Sequence, residues 1–425
     1  MTTHTSHAVL TLALALLTGP ALAGSAPATP EAVAAAALKA APVWDGHNDV
    51  PEQLRDRRNN VIAGFDFADT TATADPAKKL IAMHTDLKRL RQGKVGAQFW
   101  SVYVSASLSE PQAVQATLEQ IDVMKRLIAA NPRDLQFCTD SACVEAAMKQ
   151  GRIASLLGME GGHSIGGSLA VLRQMHALGA RYLTLTHSKN NAWADSGTDK
   201  PVHNGLTPLG KDVVREMQRL GVLVDLSHVS EKTMLDVLDI AGAPVIFSHS
   251  NARALNGHPR NVPDSVLARL KANGGIVMVN FYPPYVTRST WEWQARRAAE
   301  KGRLDVVFNG NPDGAAAALA AWEKAQPAPR GGISDVADHL DHIRKLAGID
   351  QVGLGGDFDG IEVAVEGMDD VSTYPALFTE LARRGWSQAD LEKLSSRNML
   401  RVLKAAEAYS ATHRGDPPVE NPTTF

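Results

Sequence analysis

The strongest constraint on the fold is a recurrence: short β-rich runs alternate with amphipathic stretches of helical period. The runs are Val43–Asp49, Gly96–Val104, Ile153–Glu160, Tyr182–His187, Val222–His228, Pro244–His249, Ile276–Phe281 and Val352–Asp357. The stretches between them include Gln112–Ala130, Leu169–Leu178, Gly210–Leu220, Glu231–Ile240 and Val262–Ala272. Runs such as Val-Leu-Val-Asp-Leu and Pro-Val-Ile-Phe are almost continuously apolar, as in strands covered on both faces, which favours a parallel sheet. Eight strands with helices between them is the count of an α/β fold of the (β/α)8 TIM barrel type; an open doubly wound sheet is the competing arrangement. One segment breaks the alternation. From Tyr285 to Arg330 there is no strand pattern, only Trp291, Trp293, an Arg/Ala/Glu-rich stretch and the run Ala315–Lys324. It reads as a helical insertion (286–330) after strand seven. Loops after barrel strands lie on the catalytic face, so it caps a pocket, forms a subunit contact or decorates the surface.

Composition narrows the class. With 44% hydrophobic and 21% charged residues the chain has ample apolar area for a core, which excludes disorder over most of its length. Forty-three Lys+Arg against 46 Asp+Glu leave a net charge of −3, without the excess that would signal a nucleic-acid partner. The short apolar run Ala8–Leu17, then Gly19, Pro20 and Ala21-Leu22-Ala23, reads as a secretory signal peptide over 1–23, although no Lys or Arg precedes the run. Residues 24–41 read as a linker with some helical character, 42–410 as the barrel and 411–425 as a polar tail. No later apolar run is long enough for a membrane span, so the expected location is secreted or periplasmic. Two cysteines exclude a disulfide scaffold and an all-cysteine zinc site. Cys138 and Cys143 flank a strand-to-helix turn; a bridge and two free buried thiols are both compatible with the spacing.

The polar residues at the strand ends carry the chemistry. His47 and Asp49 are two apart and point the same way from a strand. Glu160 ends an apolar strand, where a carboxylate is costly without a partner, and Gly161-Gly162 follow. His228 and His249 each follow a strongly apolar strand. One such histidine reads as a core residue; two on successive strands are harder to assign that way. All five would meet at the C-terminal rim, where barrel active sites lie. Five N/O ligands suit two metal ions 3.5–4 Å apart rather than one, with Glu160 as the bridge, and the absence of thiolates excludes copper(I) and iron–sulfur sites. His187, Asp357 and Arg260 face the same rim. They are candidates for polarising a carbonyl, moving a proton and binding a carboxylate; their structural alternatives are a core histidine, a capping aspartate and a surface charge. Asp359 is expected to turn into its loop. His339 and His342 lie on a helix and read as structural. No phosphate loop, GxGxxG pattern or Gly-x-Ser-x-Gly elbow occurs.

This set resembles the membrane dipeptidase (renal dipeptidase) family of the metal-dependent amidohydrolase barrels. The resemblance is carried, in order, by DGHNDVP (45–51), GMEGGHS (158–164), RYLTLTHSKNNAWAD (181–195), GVLVDLSHVS (221–230), APVIFSHS (243–250), RNVPD (260–264), VMVNFY (277–282), VADHLDHI (336–343) and GGDFDG (355–360). It implies two zinc ions (Zn2+), one held by His47, Asp49 and Glu160 and the other by Glu160, His228 and His249. It implies that His187 contacts the substrate carbonyl, Arg260 the terminal carboxylate, and Asp357 acts as acid and base. Tyr285 is a further pocket residue. The implied activity is hydrolysis, by a metal-bridging hydroxide, of dipeptides with a free C-terminal carboxylate, D-residues at the second position included. Members are often homodimers; composition identifies no interface.

Three departures stand out. The end Ala411–Phe425 is polar, so no lipid anchor is expected; Lys189 replaces a cysteine of the vertebrate enzymes; and the excursion after Tyr285 is longer than in those members. The competing readings are an amidase or a β-lactam or lactone hydrolase on the same metals, and a non-catalytic binding member.

Overall fold

Strands form where the apolar runs predict them. The computed structural model describes residues 1–5 and 28–421; beyond its first five residues, the segment read as a signal peptide lies outside the described residues. The strands are β1 (Val43–Asn48), β2 (Val95–Tyr103), β3 (Leu135–Phe137), β4 (Ile153–Glu160), β5 (Ala180–Thr184), β6 (Leu223–Asp225), β7 (Ile246–Phe247), β8 (Ile276–Val279) and β9 (Val352–Leu354). All neighbours pair in parallel. The order runs β2-β1-β9-β8-β7-β6-β5-β4, and β2 closes on β4 along Ala97–Tyr103 and Ala154–Glu160. This is a closed eight-stranded barrel, so the open sheet is excluded. The short β3 is the strand before the strand-to-helix turn at Cys138–Cys143 and is not among the eight predicted runs. It covers the edge of β4 at Ile153–Ser155, just before β5 begins to pair at Leu157; three residues are too few for periodicity to reveal.

Side-chain alternation divides the core in two. Trp44, Phe99, Leu156, Tyr182, Leu223, Ile246, Ile276 and Met278 form one buried cluster, the barrel interior. Their neighbours Val43, Trp100, Leu157, Leu183, Val224, Phe247 and Val277 belong to the cluster shared with the surrounding helices. The seam between β1 and β9 joins the two ends of the barrel: the Asp45 carboxylate accepts from Gly356 N, 311 positions away in sequence, at 2.9 Å. Asp357 N donates to His47 O, and Asp49 N to Phe358 O, at 3.1 and 2.9 Å.

The stretch read as a linker is helical over Pro30–Ala40, capped by Thr29, and buries Ala34, Ala37 and Leu38; it is docked on the barrel. The insertion after β8 is helical, as predicted, over Pro283–Val286, Arg288–Val307 and Pro312–Ala325. The last two helices meet through Trp293 and Trp322, with ring centroids 5.8 Å apart. Cys138 and Cys143 form a disulfide between the end of β3 and the helix Ser141–Lys149, which settles the open choice against free thiols. In the C-terminal tail, Val419 N donates to Glu216 and the Asn421 amide to Gly167 O, so the tail is strapped to the barrel as far as residue 421. Among the described residues no helix is long and apolar enough to cross a membrane.

Candidate metal centre

The barrel gathers the five proposed ligands at the C-terminal ends of its strands. His47 lies in β1 and Asp49 just beyond it; Glu160 ends β4; His228 and His249 follow β6 and β7. All five are buried. Glu160 lies at their centre, and its two oxygens face different partners. Oε2 is 3.3 Å from His47 Nε2, while Oε1 is 2.9 Å from His228 Nε2 and 3.4 Å from His249 Nε2. Asp49 Oδ2 is 3.3 Å from His47 Nε2. Asp357 and His187 join the same constellation, with Asp357 Oδ1 3.9 Å from His47 Nε2 and His187 Nε2 3.8 Å from Glu160 Oε1. Three sets of ligand atoms lie close enough to share an ion: His47, Glu160 and His249; Glu160, His187 and His228; and His47, Asp49 and Asp357. His228 has φ +70°, outside the regions a side chain ordinarily favours; strain of this kind accumulates at functional sites.

A neighbouring serine fixes which nitrogen the His249 ring offers. The Ser248 hydroxyl donates to Asp225 Oδ2 at 2.7 Å and lies 2.8 Å from His249 Nδ1. Its hydrogen is therefore committed, so Nδ1 must donate and Nε2 carries the lone pair facing Glu160. Tyr182 OH lies 2.8 Å from His47 Nδ1 and holds that ring in place. Space for the tyrosine comes from Gly158, where a Cβ would fall 2.0 Å from its ring. Ser101 Oγ donates to Glu160 Oε2 at 3.2 Å. Asp225, Ser248, Tyr182 and Ser101 were all missed in the sequence as site residues. Asp225 alone gave a signal there, as a second carboxylate inside an apolar strand.

The electrostatics match N/O coordination of cations. Burial holds His228 and His249 well below the usual imidazole range, so both rings are neutral. Burial would raise Glu160, but His47, His228 and His187 outweigh it and hold the carboxyl well below its ordinary value. Burial raises Asp357 well above the carboxylate range, with Asp49 and Glu160 adding to the rise and His47 and Asn280 opposing it. Both Asp49 oxygens and His47 Nε2 are buried without a hydrogen-bond partner. Orphaned acceptors in a crowd of carboxylates are costly, and metal cations are what this donor set fits.

The centre opens into a cavity of about 460 Å³ lined by His187, Arg260, Tyr285, Tyr282, Tyr103 and Asp357 among others. Burial pulls His187 down to about 4, leaving it neutral. Arg260 is 2% exposed, yet its Nε and Nη1 have no partner; the guanidinium lies 5.2 Å from the Tyr285 ring centroid. The surface-charge reading of Arg260 is thereby excluded. The insertion reaches this cavity through Gln294, which donates to Tyr282 OH at 2.9 Å. Asp359 turns away from the metal set, as expected, and accepts from His84 N at 2.8 Å. His339 is structural: its Nδ1 accepts from Ala252 N and its Nε2 donates to Val286 O.

Comparison with known proteins gives a consistent set of likenesses. The profile of the membrane dipeptidase family (peptidase family M19) matches residues 31–416. Dipeptidase tcpJ of Claviceps purpurea is 40% identical over 384 residues, 88% of this chain and 79% of its own length. An uncharacterised dipeptidase of Schizosaccharomyces pombe is 39% identical over 406 residues, 92% of this chain and 87% of its own. Among solved structures, a metallopeptidase of Rhodobacter sphaeroides liganded with a phosphinate mimic of the dipeptide L-Ala-D-Ala superposes with TM-score 0.69. It is 26% identical and covers 86% of this chain and 99% of its own.

Proposed function

The chain belongs to the membrane dipeptidase family, and from that premise we propose that it is a binuclear zinc dipeptidase acting on dipeptides with a free C-terminal carboxylate, D-residues at the second position included. The observation that carries this reading is the Glu160 carboxylate, whose two oxygens face separate ligand groups beside a buried guanidinium with donors to spare.

His47, Asp49 and Glu160 would hold one ion, and Glu160, His228 and His249 the other. When bound, the ions supply Lewis acidity at the scissile carbonyl and make water nucleophilic at neutral pH. Arg260 binds the terminal carboxylate, held by its own bond to His249 O and by the Tyr285 ring. Neutral His187 gives a ring N–H to the carbonyl oxygen as negative charge develops there. Asn280 Nδ2 donates to Asp357 Oδ2 at 2.7 Å, which leaves Oδ1 as the atom that can take a proton; with cations bound beside it the carboxyl would be ionised and ready to do so. Asp357 takes a proton from the attacking water and returns it from Oδ1 to the amine as the C–N bond breaks. The products are two free amino acids.

The disulfide supports export behind the signal peptide, because such bonds persist in oxidising compartments. The near-balanced charge supports a small substrate rather than a nucleic acid. A homodimer is the assembly expected of the family.

A panel of free dipeptides, L-Xaa-D-Xaa pairs included, tests the reading on the purified chain before and after chelation. Cleavage lost to the chelator, restored by zinc and absent for C-terminally amidated dipeptides is the expected result. Failure of metal-loaded protein to cleave any free dipeptide would overturn it. Arg260→Ala separates the neighbouring chemistries: a dipeptidase loses most of its kcat/KM, a hydrolase of neutral lactones does not.

A further inference from the structure

The catalytic cavity continues past the metal centre. Glu52, Gly360, Ile361 and Glu362 line both this cavity and an adjoining one of about 320 Å³, so the two meet at a ridge bearing two carboxylates. Glu52, in the first turn of the helix Val50–Arg58, has a side chain 20% exposed. Its cationic neighbour Arg55 stands off at 3.5 Å and makes closer bonds to Asp56 and Tyr103 O, at 2.8 and 3.0 Å. Beyond the ridge the adjoining cavity is lined by Asp359, whose side chain is 1% exposed. Asp359 Oδ1 is taken by His84 N, but Oδ2 is buried with no partner. Neither Glu52 nor Asp359 belongs to the sets of metal-ligating atoms. Arg57 and Lys79 also line this cavity; Arg57 gives Nε to Gln53 and Nη1 to Thr73 O and Ile81 O. The adjoining cavity thus carries four carboxylates, Glu52, Asp56, Asp359 and Glu362, against the two cations Arg57 and Lys79.

We propose that the adjoining cavity receives the side chain of the substrate's first residue, and that Glu52 and Asp359 select a basic one, Lys or Arg. The inference rests on the dipeptidase reading of the site. The first residue carries the carbonyl that is cleaved, so its Cα lies beside the metals and only its side chain extends far enough to cross the ridge. An ammonium on a long flexible stem, or a guanidinium, brings several N–H donors, enough for both Glu52 and the unpaired Asp359 oxygen.

The test is kcat/KM for Lys-Ala, norleucyl-Ala and Glu-Ala, measured on the zinc-loaded enzyme and on Glu52→Gln. Norleucine keeps the length of lysine without its charge. The wild type is expected to favour Lys-Ala over norleucyl-Ala by about tenfold or more, with Glu-Ala poorest. Glu52→Gln is expected to bring the two rates within about twofold of each other. Asp359→Asn, which keeps Oδ1 for His84, is a second variant and should raise KM for Lys-Ala more than for norleucyl-Ala. Equal wild-type rates on Lys-Ala and norleucyl-Ala, or a ratio unmoved by both variants, would overturn the proposal while leaving dipeptidase activity intact. Loss of cleavage on every free dipeptide would instead overturn the reading beneath it.

Discussion

Two residues outside the ligand set govern the metal centre. Ser248 transmits the Asp225 carboxylate to His249 and sets its tautomer. Ser248→Ala is therefore expected to weaken zinc binding by about 10–100-fold, read from the zinc retained against a graded chelator, with the circular dichroism spectrum unchanged. Gly360 lies so close to the acidic residues that a Cβ would fall 2.2 Å from Asp49 Oδ2 and 2.7 Å from Asp357 Oδ1. Gly360→Ala should push both carboxylates out of place and remove most of the activity, while thermal unfolding barely shifts because residue 360 is on the exposed rim. A variant as active as the parent would show that the close approach is not needed. At this scale the sequence was legible wherever a polar residue ends an apolar strand, as with Glu160, His228 and His249. Ser248, Tyr182 and Ser101 were not legible. Tyr182 and Ser101 act on partners from other strands, and Ser248 acts on its neighbour His249 only because Asp225 of another strand takes its hydrogen, so nothing along the chain marks them.

At the level of elements, the eight barrel strands could be read because burial on both faces demands continuous apolar runs. Three features escaped that logic. β3 is too short for a period, the helix 30–40 has an Ala-rich face that resembles a linker, and the disulfide depends on how a strand meets a helix. The helix Ile333–Leu346 carries a testable consequence of its own. His339, buried on that helix, ties Ala252 N to Val286 O, and burial pulls its pKa down to about 4. Its folded value is below the unfolded value of about 6.5. The stability it contributes is thus complete above that value, declines as pH falls through it and levels off near 4, a loss on the order of 3 kcal/mol at most. Urea midpoints at pH 7 and pH 4.5 should fall further for the wild type than for His339→Gln. Equal slopes would mean that the ring is not held neutral.

Taken whole, the molecule is a barrel whose rim crowds buried carboxylates together. Asp49, Glu160 and Asp357 repel one another in the metal-free state, and bound cations relieve that repulsion. Because folded protein alone holds the ions in this arrangement, they add stability by mass action, about 2.7 kcal/mol for a site at 100 times its dissociation constant. Chelation should lower the unfolding temperature and zinc should restore it; an unfolding temperature indifferent to both would mean that the rim does not hold metal. The barrel was legible from strand count and order, whereas the way the insertion touches the cavity through Gln294 was not, because helical periodicity does not say where a helix docks.

The β1–β9 seam has a consequence for how the protein is made. The five proposed ligands lie between residues 47 and 249, and all of them are synthesised well before β9. A nascent chain halted just short of Val352 would carry every one of them and still be an open sheet, without the backbone bonds that hold His47 and Asp49 against the last strand. Closure of the rim around the ligands therefore waits for β9, about 100 residues further along the chain than the last of them.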